Sequence, residues 1–294
     1  MTNPPFGRVL TAMVTPFTDT GELDLDGAQR LAAHLIENGN DGLVISGTTG
    51  EAPTTSDAEK ERLLRAVTDV VGDRASVIAG VGTNDTAHSI ELARTAEKNG
   101  ARGLLVVSPY YSKPPQEGLL AHFRAIADAT DLPVILYDIP GRTGVPIETE
   151  TLVRLAEHDR IVAVKDAKGD LAASAQVLAR TDLAYYSGED ALTLPLLSVG
   201  GVGVVGVPTH LFAEQVGRMI GAYLAGDVAA AADLHRGLLP VFVGFFRTQG
   251  VILAKAGLRL AGLPAGPVRR PLVDATGDQV ERLRADCAAA GLTL

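Results

Sequence analysis

Short apolar runs alternate with longer stretches of helical spacing from one end of this chain to the other. The first run, residues 8–14, closes on Thr15-Pro16 and reads as a strand. In residues 26–38 the apolar side chains Leu31, Leu35 and Ile36 share one helical face, and Gly39 stops the helix. The same alternation then predicts strands over 42–47, 76–82, 103–108, 133–139, 161–167, 184–188 and 202–207. Helices are expected between them, over 57–71, 86–99, 116–129, 147–158, 171–180, 191–198 and 211–225. Ser56, with Glu59 three residues later, is a capping-box pattern for the helix at 57.

Eight βα units joined by short loops imply an α/β fold, a closed (β/α)8 TIM barrel of parallel strands ringed by helices. The strands are unbroken apolar runs, as expected when both faces are covered. An open doubly wound sheet is the rival, but it needs a glycine-rich phosphate turn after the first strand. Here that strand ends in Thr15-Pro16-Phe17. Three more helices, over 228–239, 246–260 and 277–290, follow without a Ser/Gly linker. The expected division is a barrel over 1–225 and a C-terminal helical extension over 226–294 packed on it.

Composition narrows the function without naming it. The 294 residues are 46% hydrophobic and 4% aromatic with no Trp, enough for one large core or two smaller ones. A net charge of -9 and the lack of any Lys/Arg cluster argue against nucleic acid or an anionic membrane as partner. Cys287 is the only cysteine, which excludes an intrachain disulfide and a cysteine metal site; in the helix expected at 279–290 it reads as a packed thiol. The six His, at 34, 88, 122, 158, 210 and 235, form no pair at metal-binding helical spacing. No metal or other cofactor is therefore expected. Residues 1–7 are polar and contain Pro, and no apolar run reaches about 18 residues, so a cytoplasmic protein is expected.

In a barrel of this kind the chemistry lies at the C-terminal ends of the strands. The sixth strand, Ile161-Val-Ala-Val-Lys165-Asp-Ala167, ends on a lysine. Desolvation there lowers the ammonium pKa, and a neutral lysine amine forms Schiff bases with carbonyl compounds. Alone, such a lysine more often reaches solvent or pairs with its neighbour, here Asp166. The second strand runs into Gly47-Thr48-Thr49-Gly50-Glu51, where backbone N–H groups and two hydroxyls suit a carboxylate; a plain turn with a capping Thr fits as well. Tyr137 lies near the end of the fifth strand, where a core tyrosine is by itself the more common reading. Arg142, past Pro140-Gly141, can clamp a carboxylate or simply face solvent. Tyr110-Tyr111 before Lys113-Pro114-Pro115 is a stiff aromatic loop. Each signal is weak; together, at one end of one barrel, they make a coherent site for imine chemistry.

Gly47-Thr-Thr-Gly-Glu51, Tyr137-Asp-Ile-Pro-Gly-Arg142-Thr143 and Val164-Lys165-Asp166 resemble the dihydrodipicolinate synthase / N-acetylneuraminate lyase family of lysine-dependent aldolases, and the match runs over nearly the whole chain. The resemblance implies that Lys165 forms an imine with pyruvate, whose enamine adds to L-aspartate 4-semialdehyde on the route to diaminopimelate and lysine. It implies a proton relay of Thr48, Tyr137 and Tyr111, with Tyr111 supplied by the adjacent subunit of a homotetramer. Thr48 and Thr49 would hold the pyruvate carboxylate, and Arg142 that of the semialdehyde. Gly188 and Val205 would line the pyruvate pocket.

Two departures from the family pattern stand out. The pocket behind the tyrosine pair, where lysine-inhibited members carry histidines and a glutamate, has Asp57, Lys60 and His88 here, although Asn84 and Tyr110 are kept. Weak or absent feedback by lysine is the expectation. Gly206-Val-Pro208 replaces a Ser-Val pair after strand eight. A sialic acid or sugar-acid lyase of the same family is the alternative, disfavoured by Arg142. A non-catalytic keto-acid-binding paralogue is another, disfavoured by the intact Lys165, Tyr137 and Thr48. Gly200-Gly201-Val-Gly203 opens strand eight rather than closing it, so tight packing explains it better than a phosphate site.

Overall fold

The computed structural model describes residues 3–294; Met1 and Thr2, the start of the stretch read above for targeting signals, lie outside the described residues. Eight parallel strands close into a barrel in sequence order. They are β1 (Val9–Ala12), β2 (Gly42–Ile45), β3 (Ser76–Gly80), β4 (Gly103–Val107), β5 (Val134–Asp138), β6 (Ile161–Asp166), β7 (Ala184–Ser187) and β8 (Gly203–Gly206). β8 returns to pair with β1, Val205 opposite Leu10. The (β/α)8 barrel read from the repeat is the fold. Strand side chains alternate between two layers. Leu10, Val44, Ile78, Leu105, Ile135, Ala163 and Val205 pack together as one cluster, the barrel interior. Leu43, Val77, Leu104, Val134 and Val164 pack instead with the helices. This two-sided burial is why the strands read as continuous apolar runs.

The surrounding helices are α1 (Leu25–Glu37), α2 (Asp57–Val71), α3 (Thr86–Lys98), α4 (Gln116–Ala127), α5 (Pro140–Thr143), α6 (Thr149–Leu155), α7 (Leu171–Leu178), α8 (Thr193–Ser198) and α9 (Thr209–Leu224). The Ser56–Glu59 capping box at the start of α2 is present in both directions. α5 was not expected, because Pro140-Gly141 reads as a turn. Proline is in fact well suited to the first helical position, and Gly144 ends the helix at φ +83°.

The chain closes with α10 (Val228–Gly244), α11 (Gly250–Leu260) and α12 (Gly277–Ala289). α10 runs past the stop expected at 239, with Pro240 inside it. α11 begins later than expected, at Gly250, where the Gln249 side chain caps the Val251 N–H at 2.7 Å. α10 lies against α9, and both α10 and α11 lie against α12. The segment after α11 reaches the barrel mouth, where the Phe17 N–H donates to the Ala265 carbonyl at 3.2 Å. No helix of the described residues is long and apolar enough to cross a membrane.

Candidate active site

Strand parity and register assemble the centre of the site. Lys165 follows inward-facing Ala163 by two residues, as Tyr137 follows Ile135, and Tyr137 pairs with Lys165 across β5 and β6. Both side chains are buried. The ammonium of Lys165 rests 4.3 Å from the centroid of the Tyr137 ring. Burial pulls the Lys165 pKa down to about 8; the Asp190 carboxylate holds it up, and the Arg142 charge lowers it further. Burial pushes the Tyr137 phenol up to about 12, against the pull of the Arg142 charge and the Thr48 hydroxyl. Asp166 is not the partner of Lys165. Its carboxylate accepts the Lys168 N–H at 2.8 Å and the Ser174 hydroxyl at 2.5 Å.

The loop after β2 turns sharply, with Ser46 at φ 53° and Glu51 at φ 58°. The Glu51 N–H donates to the Thr48 carbonyl at 3.1 Å, and Thr15 Oγ1 donates to the Gly50 carbonyl at 2.7 Å. A Cβ on Gly50 would stand 3.0 Å from the Ser46 nitrogen, so a side chain there would crowd the close turn. This loop presents Thr48 to a cavity of about 460 Å³ that Tyr137 and Arg142 also line. The cavity continues past Tyr110 to Asn84, His88, Lys60 and Asp57.

Arg142 stands on α5, exposed, and forms no ion pair among the described residues. Lys165, Thr49, Gly188 and Val205 are not on the cavity wall. Lys165 meets it through the Tyr137 ring, and Thr49 is buried in the loop beside Thr48. Gly188 follows β7 and lies against Lys165: a Cβ there would be 3.1 Å from Lys165 Cγ. Val205 belongs to the interior cluster that includes Tyr137. Tyr111 is 91% exposed at φ 70°, so this chain by itself does not bring it to the other residues.

Three buried charged groups here were not singled out from the sequence. Asp190 follows β7 and accepts the Val207 N–H at 3.3 Å through Oδ2, while Oδ1 finds no hydrogen-bond partner among the described residues. Burial lifts its pKa to about 7, with the Val207 N–H opposing, Glu189 adding and Lys165 opposing. Asp138, the last residue of β5, lies 3.2 Å from Lys168 Nζ. Lys255 on α11 is fully buried 2.7 Å from Glu51. For Asp138 the available signal was position, a charged residue at the C-terminal end of a buried strand.

A lysine with a lowered pKa, packed on a tyrosine at the mouth of an eightfold barrel, is an imine-forming arrangement. The family model described as the Dihydrodipicolinate synthetase family matches residues 5–290. The chain belongs to this family. A protein of Acidothermus cellulolyticus named 4-hydroxy-tetrahydrodipicolinate synthase is 78% identical over 98% of this chain and 94% of its own length. A 4-hydroxy-tetrahydrodipicolinate synthase 2 of Streptomyces coelicolor is 66% identical over 99% of this chain and 97% of its own length. Among solved structures, a DHDPS from Cyanidioschyzon merolae with lysine bound superposes with a TM-score of 0.97 at 47% identity, over 99% of this chain and all of that one. The family match and the eightfold barrel thus cover the same chain.

Proposed function

We infer that the chain is a 4-hydroxy-tetrahydrodipicolinate synthase, a lyase that condenses pyruvate with L-aspartate 4-semialdehyde. The observation that carries the chemistry is Lys165, buried, lowered in pKa and in contact with Tyr137. The relatives at 78% and 66% identity support the acceptor. In this reading the neutral Lys165 amine attacks C2 of pyruvate, and water leaves to give the imine. Loss of a C3 proton gives the enamine, whose C3 bonds to the aldehyde carbon of the semialdehyde. The amino group of the adduct then attacks C2 and displaces Lys165. Tyr137 and Thr48 carry protons between the reacting oxygen and solvent. Thr48 and Thr49 hold the pyruvate carboxylate, and Arg142 clamps that of the acceptor. Gly188 leaves room beside Lys165, and Val205 closes the floor.

Tyr111 completes the relay from a second copy of the chain, within a homotetramer of paired dimers. Its exposure supports this. Mixing Lys165→Ala with Tyr111→Phe protein tests it: restored turnover is expected, and inactivity of the mixture would refute the exchange of Tyr111. The main test is borohydride trapping with pyruvate followed by intact mass. A single pyruvyl adduct on the protein, absent from Lys165→Ala, is expected, together with turnover only when the semialdehyde is added. An unmodified protein would end the imine reading.

A further inference from the structure

The short helix that carries Arg142 stands on a buried ion pair. Asp138 Oδ1 accepts the Ile147 N–H at 3.1 Å. Its Oδ2 lies 3.2 Å from Lys168 Nζ, and that ammonium donates to the Ile147 carbonyl at 3.3 Å. Both backbone groups of Ile147 are therefore held by one ion pair. The segment that leaves β5 after Asp138 is brought back to Asp138 at Ile147. Outside the pair, Gln116 brackets the same stretch: Nε2 donates to the Pro146 carbonyl at 2.9 Å and Oε1 accepts the Glu148 N–H at 3.1 Å. Within it, Thr143 Oγ1 bridges the carbonyls of Ile139 and Val145 at 3.1 and 3.0 Å. Arg142 lies midway along this closed loop.

A buried ion pair is weak evidence for stability, since an apolar pair of equal volume often serves as well. Here an apolar pair would leave the Ile147 N–H and carbonyl without partners. Directional bonds to a loop closure fix geometry, and Arg142 is the exposed charge which that geometry aims. Gly144 adds a constraint, because it closes the helix at φ +83°, where a side chain would strain the backbone.

We propose that Asp138 and Lys168 are positioning residues for the acceptor: they hold the α5 loop so that Arg142 meets the acceptor carboxylate, without touching substrate themselves. The proposal rests on the reading of Arg142 given above. Pyruvate binding and imine formation, which depend on Lys165, Tyr137 and Thr48, are left alone by it.

The test is steady-state kinetics with each substrate varied in turn, on wild type, Asp138→Asn, Lys168→Met and the double variant, with borohydride trapping of pyruvate on each. The double variant removes both charges, so it leaves no unpaired ion if the single changes unfold the protein. The KM for the semialdehyde should rise by about tenfold, in line with misplacement of a binding group. The KM for pyruvate and the trapping rate should stay within about twofold of wild type. On an Arg142→Ala background, Lys168→Met should change the semialdehyde KM no further, because one acts through the other. Equal shifts in both KM values, additive effects of Lys168 and Arg142, or unfolding of all three variants would overturn the proposal. Failure of the underlying reading looks different: no trapping in wild type, or an Arg142→Ala variant with an unchanged semialdehyde KM.

Discussion

The pH dependence of imine formation follows from the setting of Lys165. Its pKa is drawn from the usual 10.5 to about 8 by burial, with Asp190 holding it up and Arg142 lowering it. At pH 7 an amine of pKa 8 is neutral in roughly one molecule in ten; at 10.5 the share is roughly one in three thousand. Burial thus enriches the nucleophilic form by about 300-fold, or about 3 kcal/mol. The assay is the initial rate of borohydride-trapped pyruvate, followed by intact mass between about pH 6 and 10. The rate should rise about tenfold per pH unit below 8 and level off above it. Asp190→Asn supplies the perturbation. Without the carboxylate that raises it, Lys165 should titrate lower, and the rise should move toward acid pH. Asp190 itself has a pKa near 7, so in wild type it becomes neutral as pH falls below that value. The two profiles should therefore converge on the acid side and again on the alkaline plateau, and differ most between about pH 7 and 8. A wild-type rate still climbing at pH 10, or an alkaline displacement in Asp190→Asn, would refute the reasoning.

The remaining predictions concern stability and regulation. Arg269 holds the Glu59 carboxyl down to about 2 from the usual 4.5. Its stabilisation is complete above pH 4.5 and is lost as pH falls toward 2; with partial solvent screening it amounts to about 1–2 kcal/mol. Urea unfolding of Glu59→Gln should accordingly differ from wild type at about pH 6, with the gap narrowing steadily from about pH 4.5 toward about pH 2, and a gap that stays constant would reject the assignment. Lys255→Met leaves Glu51 buried and unpaired, and should cost about 3–5 kcal/mol in chemical denaturation; a loss under about 1 kcal/mol would show that the pair is not strained by desolvation. Lysine at millimolar concentration should inhibit turnover less than about twofold. Lys60 already faces the cavity there, and Asp57 is engaged by both Lys60 and His88, at 3.7 and 2.8 Å. Strong inhibition would sink that view.

The barrel was legible because its pattern is local and repeated. Each strand is an apolar run, each helix has its own stripe, and even the Ser56–Glu59 cap lies within four residues. The placement of Lys165 beside Tyr137 was legible for the same reason. Once two strands are adjacent and parallel, parity decides which side chains face inward. What could not be read is long-range. Glu51 and Lys255 sit at opposite ends of the chain, and nothing in either neighbourhood announces a buried pair. Asp190 looks like a surface loop acid until the fold closes Val207 over it. Pro240 signals a helix end by local rule, yet α10 carries it through while packed on α9. Tyr111 stands apart from the other site residues within its own chain, exposed at φ 70°.

The C-terminal helices bear on the chemistry as well as on the fold. Glu51 occupies the left-handed region at φ 58°, which costs a non-glycine residue about 1 kcal/mol or more. Glycine would relieve that strain, so the side chain must be needed. Its carboxylate takes the Lys255 ammonium at 2.7 Å and the Arg269 N–H at 2.8 Å. Lys255 also donates to the Pro267 carbonyl at 2.7 Å, and both cations lie over the Phe17 ring, at 4.2 and 4.1 Å. Glu51 closes the turn that presents Thr48 and Thr49, and Phe17 follows β1 into the mouth. The residues that hold the Thr48-Thr49 loop in its strained form therefore come from α11 and the segment beyond it. A chain ended at residue 225 would lack both partners of the Glu51 carboxylate, and the loop would be free to relax. On this argument the extension supports, from outside the cavity, the loop that carries Thr48 and Thr49.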